Sequence, residues 1–201
     1  GVICEIMSED GSMARLPELI KFSNEHSLKI GTVSDLIKYQ LKNNKIIEMQ
    51  SERNFESEMG KDFKLKIFKN SLSGETHYAL VKNLANNKNP TYVRMHKLDI
   101  TKDIFEEKNI FGDEISKSFK IIEKKGSGAI VLINSDMAPN IEKIFKRRDS
   151  EDSKLELREY GVGAQILLEL GLRKIILLSN SNKKIIALDG FDLEIVSQEK
   201  F

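Results

Sequence analysis

Apolar and polar residues recur with two different periods along the chain, and the period changes near residue 45. Before that point, apolar residues stand three and four apart in Leu16 to His26 and in Thr32 to Leu41, which predicts two helices. Pro17 lies in the first turn of the first helix, where its missing N–H costs nothing. Thr32 or Ser34 is available as the N-cap of the second helix.

Strand patterns occur on both sides of this helical segment. A short run of β-prone residues is followed by the turn composition of residues 8–12, and from residue 46 apolar and polar positions alternate as in half-exposed, antiparallel strands. The predicted strands are Val2–Met7, Phe63–Phe68, His77–Leu84 and Thr91–His96.

The second half of the chain has longer apolar runs. Ala129 to Ile133 is continuously apolar between a Gly-Ser-Gly turn and polar residues, which indicates a buried strand. Tyr160 to Leu170 is predicted to be a helix that ends at Gly171, and Lys174 to Leu178 to be another buried strand. Strand, helix and strand in this order predict an α/β layer.

Composition and charge exclude several classes of protein. The 40% hydrophobic content is that of a globular chain, and 32 basic against 31 acidic residues give a net charge of +1, so no global field favours nucleic acid or a membrane surface. A basic cluster, Lys143 to Arg148, is interpreted as a solvated loop because acidic residues follow it directly. The only cysteine, Cys4, permits neither an internal disulfide nor a cysteine metal cage. Without a signal-peptide or membrane-span pattern, we expect a cytoplasmic protein.

The first residues of the chain resemble the C-terminal end of 3,4-dihydroxy-2-butanone 4-phosphate synthase. The resemblance rests on Gly1 to Met7, Asp10 to Arg15 and Lys29 to Thr32. It implies that Glu5 is the catalytic carboxylate of a complete synthase domain, whose magnesium ligands lie further upstream in that family. The alternative is that Glu5 is only a partly exposed strand residue.

The rest of the chain resembles GTP cyclohydrolase II. The resemblance is strongest over Leu155 to Leu167, Leu177 to Asn180 and Lys183 to Ile185. It implies an α/β fold with a mixed sheet and flanking helices, preceded by a strand and two helices from the end of the synthase domain. With the polar stretch Lys42 to Lys45 as the boundary, the expected domains are 1–43 and 44–201. The order matches that of bifunctional riboflavin-pathway proteins, and a homodimer is expected.

The chain departs from the cyclohydrolase family where the zinc site would lie. An ungapped alignment places the three zinc cysteines of the family on Asp99, Ile110 and Gly112. His96 and Asp99 stand three apart in a predicted strand, so their side chains are expected on opposite faces, where they would not share a metal. A guanine- and phosphate-contacting segment of the family, Arg-Gln-Glu-Gly-Arg, is replaced by Asn134 to Pro139. We therefore expect no zinc, and no cofactor in this chain.

Five residues still match functional positions of the family. Glu156 and Arg158 match its Asp-x-Arg, whose arginine has been assigned as nucleophile or phosphate contact, while Arg94, Ser179 and Lys184 match residues that hold the nucleotide. Arg158 with Lys184 could hold an anion through charge-assisted hydrogen bonds. Solvated surface charge, or a salt bridge between Glu156 and Arg158, is an equally good interpretation.

Three functional hypotheses follow from these resemblances. The first is a riboflavin-pathway protein whose parent makes dihydroxybutanone phosphate from ribulose 5-phosphate. In it the cyclohydrolase-like domain is non-hydrolytic and serves dimerisation, stabilisation of the synthase domain or weak binding of a phosphorylated ligand. The second is GTP hydrolysis with a changed metal, and the third is a nucleotide-sensing module without turnover.

Overall fold

The computed structural model describes residues 1–32, 35–36, 39–40, 43–84, 89–99, 103, 113–134, 153–180 and 193–201, with side chains described from residue 161 onward in the segment 153–180. The chain divides into two compact units, 1–37 and 38–201. No helix in the described segments is long and apolar enough to cross a membrane.

The first unit is built around one short helix. Helix α1 covers Leu16–Glu25 with Pro17 in its first turn, as the sequence predicts, and the Arg15 N–H donates to the Glu18 carboxylate at 2.6 Å. Thr32 caps the second predicted helix, since its Oγ1 accepts a hydrogen bond from the Asp35 N–H at 3.0 Å. Residues 35–36, 39–40 and 43 are helical, while Ser34 lies outside the described residues.

The predicted strand from Val2 to Met7 is wrong. Met7 forms a single isolated bridge with Met13, and the Ala14 N–H donates to the Ile6 carbonyl at 3.0 Å. A strand needs a neighbour along its length, and no strand of the described residues pairs with this segment beyond that bridge. The turn predicted over residues 8–12 is confirmed, and Gly11 in it has a φ of +84°.

The second unit contains a mixed sheet. Among the described residues it has seven strands in the order β1-β2-β3-β5-β4-β6-β7. Their bounds are β1 Ile47–Ser57, β2 Gly60–Asn70, β3 Thr76–Lys82, β4 Thr91–Lys97, β5 Gly128–Ile133, β6 Lys174–Leu178 and β7 Glu194–Glu199.

The first three strands form an antiparallel meander, and β3 pairs antiparallel with β5. Strands β5, β4, β6 and β7 are parallel to one another, so the chain must cross over between them. Helix α2, Glu114–Lys125, lies between β4 and β5, and helix α3, Ser153–Glu169, lies between β5 and β6. The mixed α/β fold expected from the sequence is therefore confirmed.

The two helices cover opposite faces of the sheet. Helix α2 contributes Phe119 and Ile122 to a buried cluster with Phe63, Ile130 and Leu178. On the other face, Gly163 of α3 lies against the end of the Met95 side chain. Two residues further along α3, the Gln165 amide oxygen accepts from the backbone N–H groups of Ile46 and Ile47.

Strand β1, helix α2 and strand β7 had no predicted range from the sequence. Helix α2 has Ile115, Phe119 and Ile122 on one face, a helical spacing that was available in the sequence. Strand β7 is mostly exposed and exists because β6 supplies parallel hydrogen bonds to it. The predicted Gly-Ser-Gly turn is confirmed, with Gly126 at a φ of +75° as the C-cap of α2.

Candidate functional site

The parallel strands place their carboxyl ends along one edge of the sheet, which is where α/β proteins usually bind ligands. Polar side chains converge there from β4, from the turn after it and from the first turn of α2. We call this group the edge cluster and define it by the residues Arg94, His96, Asp103 and Glu114.

Arg94 of β4 lies at the centre of the edge cluster. Its Nη2 is paired with the Glu114 carboxylate, its Nη1 donates to the Leu178 carbonyl at 3.1 Å, and its guanidinium carbon lies 5.1 Å from the centre of the Phe201 ring. The side chain is 11% exposed. The positive charge of Arg94 is therefore already balanced by a carboxylate and held against an aromatic face.

His96 is paired with the carboxylate of Asp103. Its Nε2 lies 2.9 Å and 3.0 Å from the two carboxylate oxygens, and both side chains are 8% exposed. A carboxylate can only accept, so the histidine hydrogen must lie on Nε2. Its Nδ1 lies 3.5 Å from Arg94 Nη2, which links the two pairs into one network.

The expectation that His96 and Asp99 lie in one strand is wrong. Strand β4 ends at Lys97, and Asp99 belongs to the turn that follows. There its N–H donates to Asp103 Oδ2 at 2.8 Å, while the Asp103 N–H donates to the Asp99 carbonyl at 2.7 Å. The alternation rule therefore does not apply to Asp99. The histidine partner is Asp103, seven residues away, which strand spacing does not indicate.

The described residues offer no ready metal centre. Within the ranges that the structure covers, no three His, Cys, Asp or Glu side chains are grouped as metal ligands. Zinc in proteins takes nitrogen, sulfur and carboxylate ligands. The positions onto which the ungapped sequence alignment is expected to place the three zinc ligands of the family are an aspartate, an isoleucine and a glycine, and only the aspartate has a side-chain donor. Ile110 and Gly112 lie outside the described residues, and the absence of zinc stays a prediction.

The structure describes some of the remaining predicted site residues in full and others only in part or not at all. Ser179 follows β6 next to Leu178, the residue that accepts from Arg94; its N–H donates to the Glu199 carbonyl at 2.9 Å. Glu156 and Arg158 lie within α3, but their side chains are outside the described residues, as is the whole of Lys184. Glu5 is exposed in the first unit. The structure thus brings Arg94 and Ser179 to one edge.

A second polar contact involves side chains of α2, β4 and β7. Lys125, at the end of α2, donates to the Tyr92 hydroxyl at 2.7 Å, and that hydroxyl donates to the Glu199 carboxylate at 3.2 Å. The hydrogen bond to Tyr92, aided by the negative charge of Glu199, raises the pKa of Lys125. This contact joins α2 to β4 and β7.

Asn134 begins the segment that is expected, from the sequence, to replace a guanine- and phosphate-contacting segment of the family. Its N–H donates to Nδ1 of His77, which is buried on β3. Residues 135–140 after it lie outside the described part of the chain. The backbone at the end of β5 is therefore fixed to β3 at the same edge of the sheet.

Comparison with known proteins identifies both units. The family model for GTP cyclohydrolase II matches residues 48–200, and the model for 3,4-dihydroxy-2-butanone 4-phosphate synthase matches residues 1–39. A relative from Neisseria meningitidis, "3,4-dihydroxy-2-butanone 4-phosphate synthase", is 34% identical over 99% of this chain and 55% of its own length. "Riboflavin biosynthesis protein RibBA" from Aquifex aeolicus is 36% identical over 98% of this chain and 52% of its own length.

A solved structure supports the same assignment. The crystal structure of RibBX, a two-domain 3,4-dihydroxy-2-butanone 4-phosphate synthase from A. baumannii, matches with a TM-score of 0.72 and 30% identity over 98% of this chain and 53% of that one. The chain spans about half the length of the curated relatives it matches. Since one family model covers most of its residues, the chain belongs to the GTP cyclohydrolase II family of riboflavin biosynthesis and begins with a segment of the 3,4-dihydroxy-2-butanone 4-phosphate synthase family.

Proposed function

We propose that residues 38–201 form a cyclohydrolase-II-like domain that does not hydrolyse GTP and that serves a structural role in a riboflavin-biosynthesis protein. In a longer protein, the synthase domain would make 3,4-dihydroxy-2-butanone 4-phosphate from ribulose 5-phosphate, with magnesium as its cofactor and Glu5 as an inherited catalytic carboxylate. The remaining role of the second unit would be dimerisation, stabilisation of that domain or weak binding of a phosphorylated ligand.

The observation that carries this proposal is the set of side chains at the zinc positions. A catalytic zinc ion needs about three protein ligands, and it generates hydroxide by lowering the pKa of its bound water to about 7. Asp99, Ile110 and Gly112 offer one carboxylate between them. Without the metal, the domain lacks a metal-bound hydroxide at neutral pH.

The edge cluster supports the same proposal. Arg94, which matches a nucleotide-holding residue of the family, is paired with Glu114, and His96 is paired with Asp103. A phosphate that approached Arg94 would have to displace a carboxylate that is already within contact distance. In this arrangement the side chains hold one another instead of a ligand.

The names of two relatives are consistent with the synthase domain as the catalytically active domain. The Neisseria meningitidis relative is named as a synthase alone, and the A. baumannii structure is described as a two-domain synthase. Both align with nearly all of this chain, including its cyclohydrolase-like unit. The names of these two proteins therefore mention synthase activity alone, while the Aquifex aeolicus relative is named for riboflavin biosynthesis.

The test measures metal and product on the purified 201-residue chain. We expect less than about a tenth of an equivalent of zinc by elemental analysis and no formate released from GTP. A matched variant, Asp99→Cys with Ile110→Cys and Gly112→Cys, should gain zinc if the alignment is right. Stoichiometric zinc and formate release from the unaltered chain would overturn the proposal.

Nucleotide binding without turnover is the second candidate, because Arg94 and Ser179 lie at one sheet edge. Calorimetric titration with GTP separates it from a purely structural role. Binding that is lost in Arg158→Ala and Lys184→Ala would support a nucleotide-sensing module. Binding that is unchanged in these variants would remove the basis for that candidate.

A further inference from the structure

A short segment between the two family matches is hydrogen-bonded to the rest of the second unit. The synthase model ends at residue 39 and the cyclohydrolase model begins at residue 48, so residues 40–47 belong to neither match. The polar composition of Lys42 to Lys45 is typical of a flexible linker. Residues 44–47, which lead into β1, are nevertheless bonded to α3 and to the turn after β2. We call residues 44–47 the strap.

Gln165 of α3 forms three hydrogen bonds to the backbone of the strap. Its side-chain oxygen accepts from the Ile46 N–H at 3.0 Å and from the Ile47 N–H at 3.2 Å. Its side-chain nitrogen donates to the Asn44 carbonyl at 2.9 Å. A primary amide carries both an acceptor and donors, and these three partners fix which end of it is the oxygen. Gln165 is 8% exposed, so water competes little for these bonds.

Two other contacts hold the strap. Near the end of α3, the Glu169 carboxylate pairs with Lys45 at 2.8 Å, but this pair is exposed and contributes little to stability. In the turn after β2, the N–H and the hydroxyl of Ser71 both donate to the Ile46 carbonyl, at 2.8 Å and 3.2 Å. The side chain of Ile46 is itself buried. The attachment of the strap therefore depends on the buried hydrogen bonds more than on the ion pair.

The bonds from Gln165 have no ready substitute. Buried backbone N–H and carbonyl groups are nearly always bonded, and a group that loses its partner costs free energy unless it moves into water. Movement into water is opposed here, because Ile46 and Ile47 would have to leave the core with the backbone. Gln165 lies in Leu155 to Leu167, the run that most resembles the cyclohydrolase family, and none of the functional hypotheses assigns it a role.

We propose that Gln165 is a positioning residue that fixes the strap to α3, so that the segment between the two family matches is a docked part of the second unit instead of a flexible linker. Helix α3 also contains Glu156 and Arg158, so the strap is tied to the helix that carries two of the predicted site residues. The proposal goes beyond the proposed function and holds whether or not the second unit hydrolyses GTP.

Trypsin tests the proposal on two Lys–Ile peptide bonds of the same chain. Lys45–Ile46 lies in the strap, and Lys29–Ile30 lies in an exposed segment of the first unit. In the unaltered chain we expect Lys29–Ile30 to be cut at least about tenfold faster, because cleavage follows the population of locally open chain. In Gln165→Leu, which lacks the polar groups, cutting at Lys45–Ile46 should rise at least about tenfold. Cutting at Lys29–Ile30 should not change.

Hydrogen exchange of single amides reports the bonds themselves. In Gln165→Leu, the Ile46 and Ile47 amides should accelerate by a larger factor than those of Ala129 to Val131, which report the stability of the whole second unit. Gln165→Glu should give a smaller increase, since a carboxylate accepts from both N–H groups but cannot donate to the Asn44 carbonyl.

Ile166→Val is the matched control for Gln165→Leu. Ile166 is the next residue of α3 and is fully buried, so its shortening lowers stability without removing a bond to the strap. It should accelerate the strap amides no more than those of β5. The comparison of the two Lys–Ile bonds in the unaltered chain, together with Gln165→Glu, decides the matter even where Gln165→Leu does not fold.

Three results would overturn the proposal. They are equal cutting of the two Lys–Ile bonds in the unaltered chain, strap amides that accelerate no more than β5 in both Gln165 variants, and an equal effect of Ile166→Val on the strap. None of these measurements depends on zinc or formate. A chain that releases formate from GTP and still protects its strap would refute the non-hydrolytic function and keep the role of Gln165.

Discussion

At the scale of single residues, the edge cluster shows how the folded protein holds Arg94, one of the site residues expected from the sequence. Arg94 is expected from the sequence to hold a nucleotide, but its guanidinium contacts the Glu114 carboxylate, the Leu178 carbonyl and the Phe201 ring. The identity and position of Arg94 were predictable from the sequence. Its partners were not, because Glu114 and Leu178 are 20 and 84 residues away and only the folded sheet brings them to Arg94.

The Glu114→Gln substitution should allow external anions to bind the Arg94 guanidinium. Loss of the carboxylate leaves a nearly buried guanidinium without its charge partner, which we expect to destabilise the fold by about 1–3 kcal/mol. Added inorganic phosphate should then restore part of the stability. Thermal unfolding with and without phosphate measures both effects.

The Asp113→Asn substitution is the control for Glu114→Gln. Asp113 is the neighbouring acid at the start of α2, it pairs with Lys117 instead of Arg94, and its removal changes the charge at the helix N-terminus equally. Phosphate should stabilise Asp113→Asn no more than the parent chain. An equal phosphate effect in all three proteins would show that Glu114 does not block Arg94.

At the scale of elements, the sequence predicted the buried strands and α3 because their apolar runs and the stop at Gly171 are local signals. It failed at Val2–Met7, where a β-prone run lacks a neighbouring strand. It also gave no indication of β7, whose exposed residues are held in a strand by hydrogen bonds to β6. Local propensity determines a secondary-structure element only where neighbouring elements in the fold supply the hydrogen bonds and packing that the element needs.

Gly128→Ala tests how closely α2 packs on the sheet. A Cβ at Gly128 would lie 2.7 Å from Ile122 Cγ1 and 2.9 Å from the Tyr92 carbonyl oxygen, which is backbone and cannot turn aside. We expect a loss of about 1–3 kcal/mol in the free energy of unfolding, measured by urea denaturation. Gly31→Ala, where a Cβ meets nothing within 4 Å, should change it little.

The Ile122→Ala background separates the two contacts at Gly128. Removing the Ile122 side chain makes room for the new methyl group but leaves the Tyr92 carbonyl in place. The cost of Gly128→Ala should therefore be smaller in this background without vanishing. A cost that is the same in both backgrounds would mean that the helix does not contact this position.

At the scale of the whole molecule, the two units differ in how they are stabilised. The second unit has its strands β3, β4 and β5 at the centre of a sheet covered by a helix on each face, and Ala129, Ile130 and Val131 of β5 are fully buried. The first unit has a short helix and no buried apolar residue in its described part. The domain boundary expected at residues 43 and 44 stays a prediction, and the difference in burial between the two units was not visible in the sequence.

This difference predicts separate unfolding of the two units in the isolated chain. Native-state hydrogen exchange in increasing urea should open the amides of α1 at low urea, because helix hydrogen bonds without apolar cover break locally. The amides of Ala129 to Val131 should exchange only through global unfolding, since both neighbouring strands and both helices would have to separate. The opening free energy of α1 should lie several kcal/mol below that of β5. If α1 and β5 open together at every urea concentration, the two units fold as one cooperative body, and the first unit must then be stabilised by contacts within this chain.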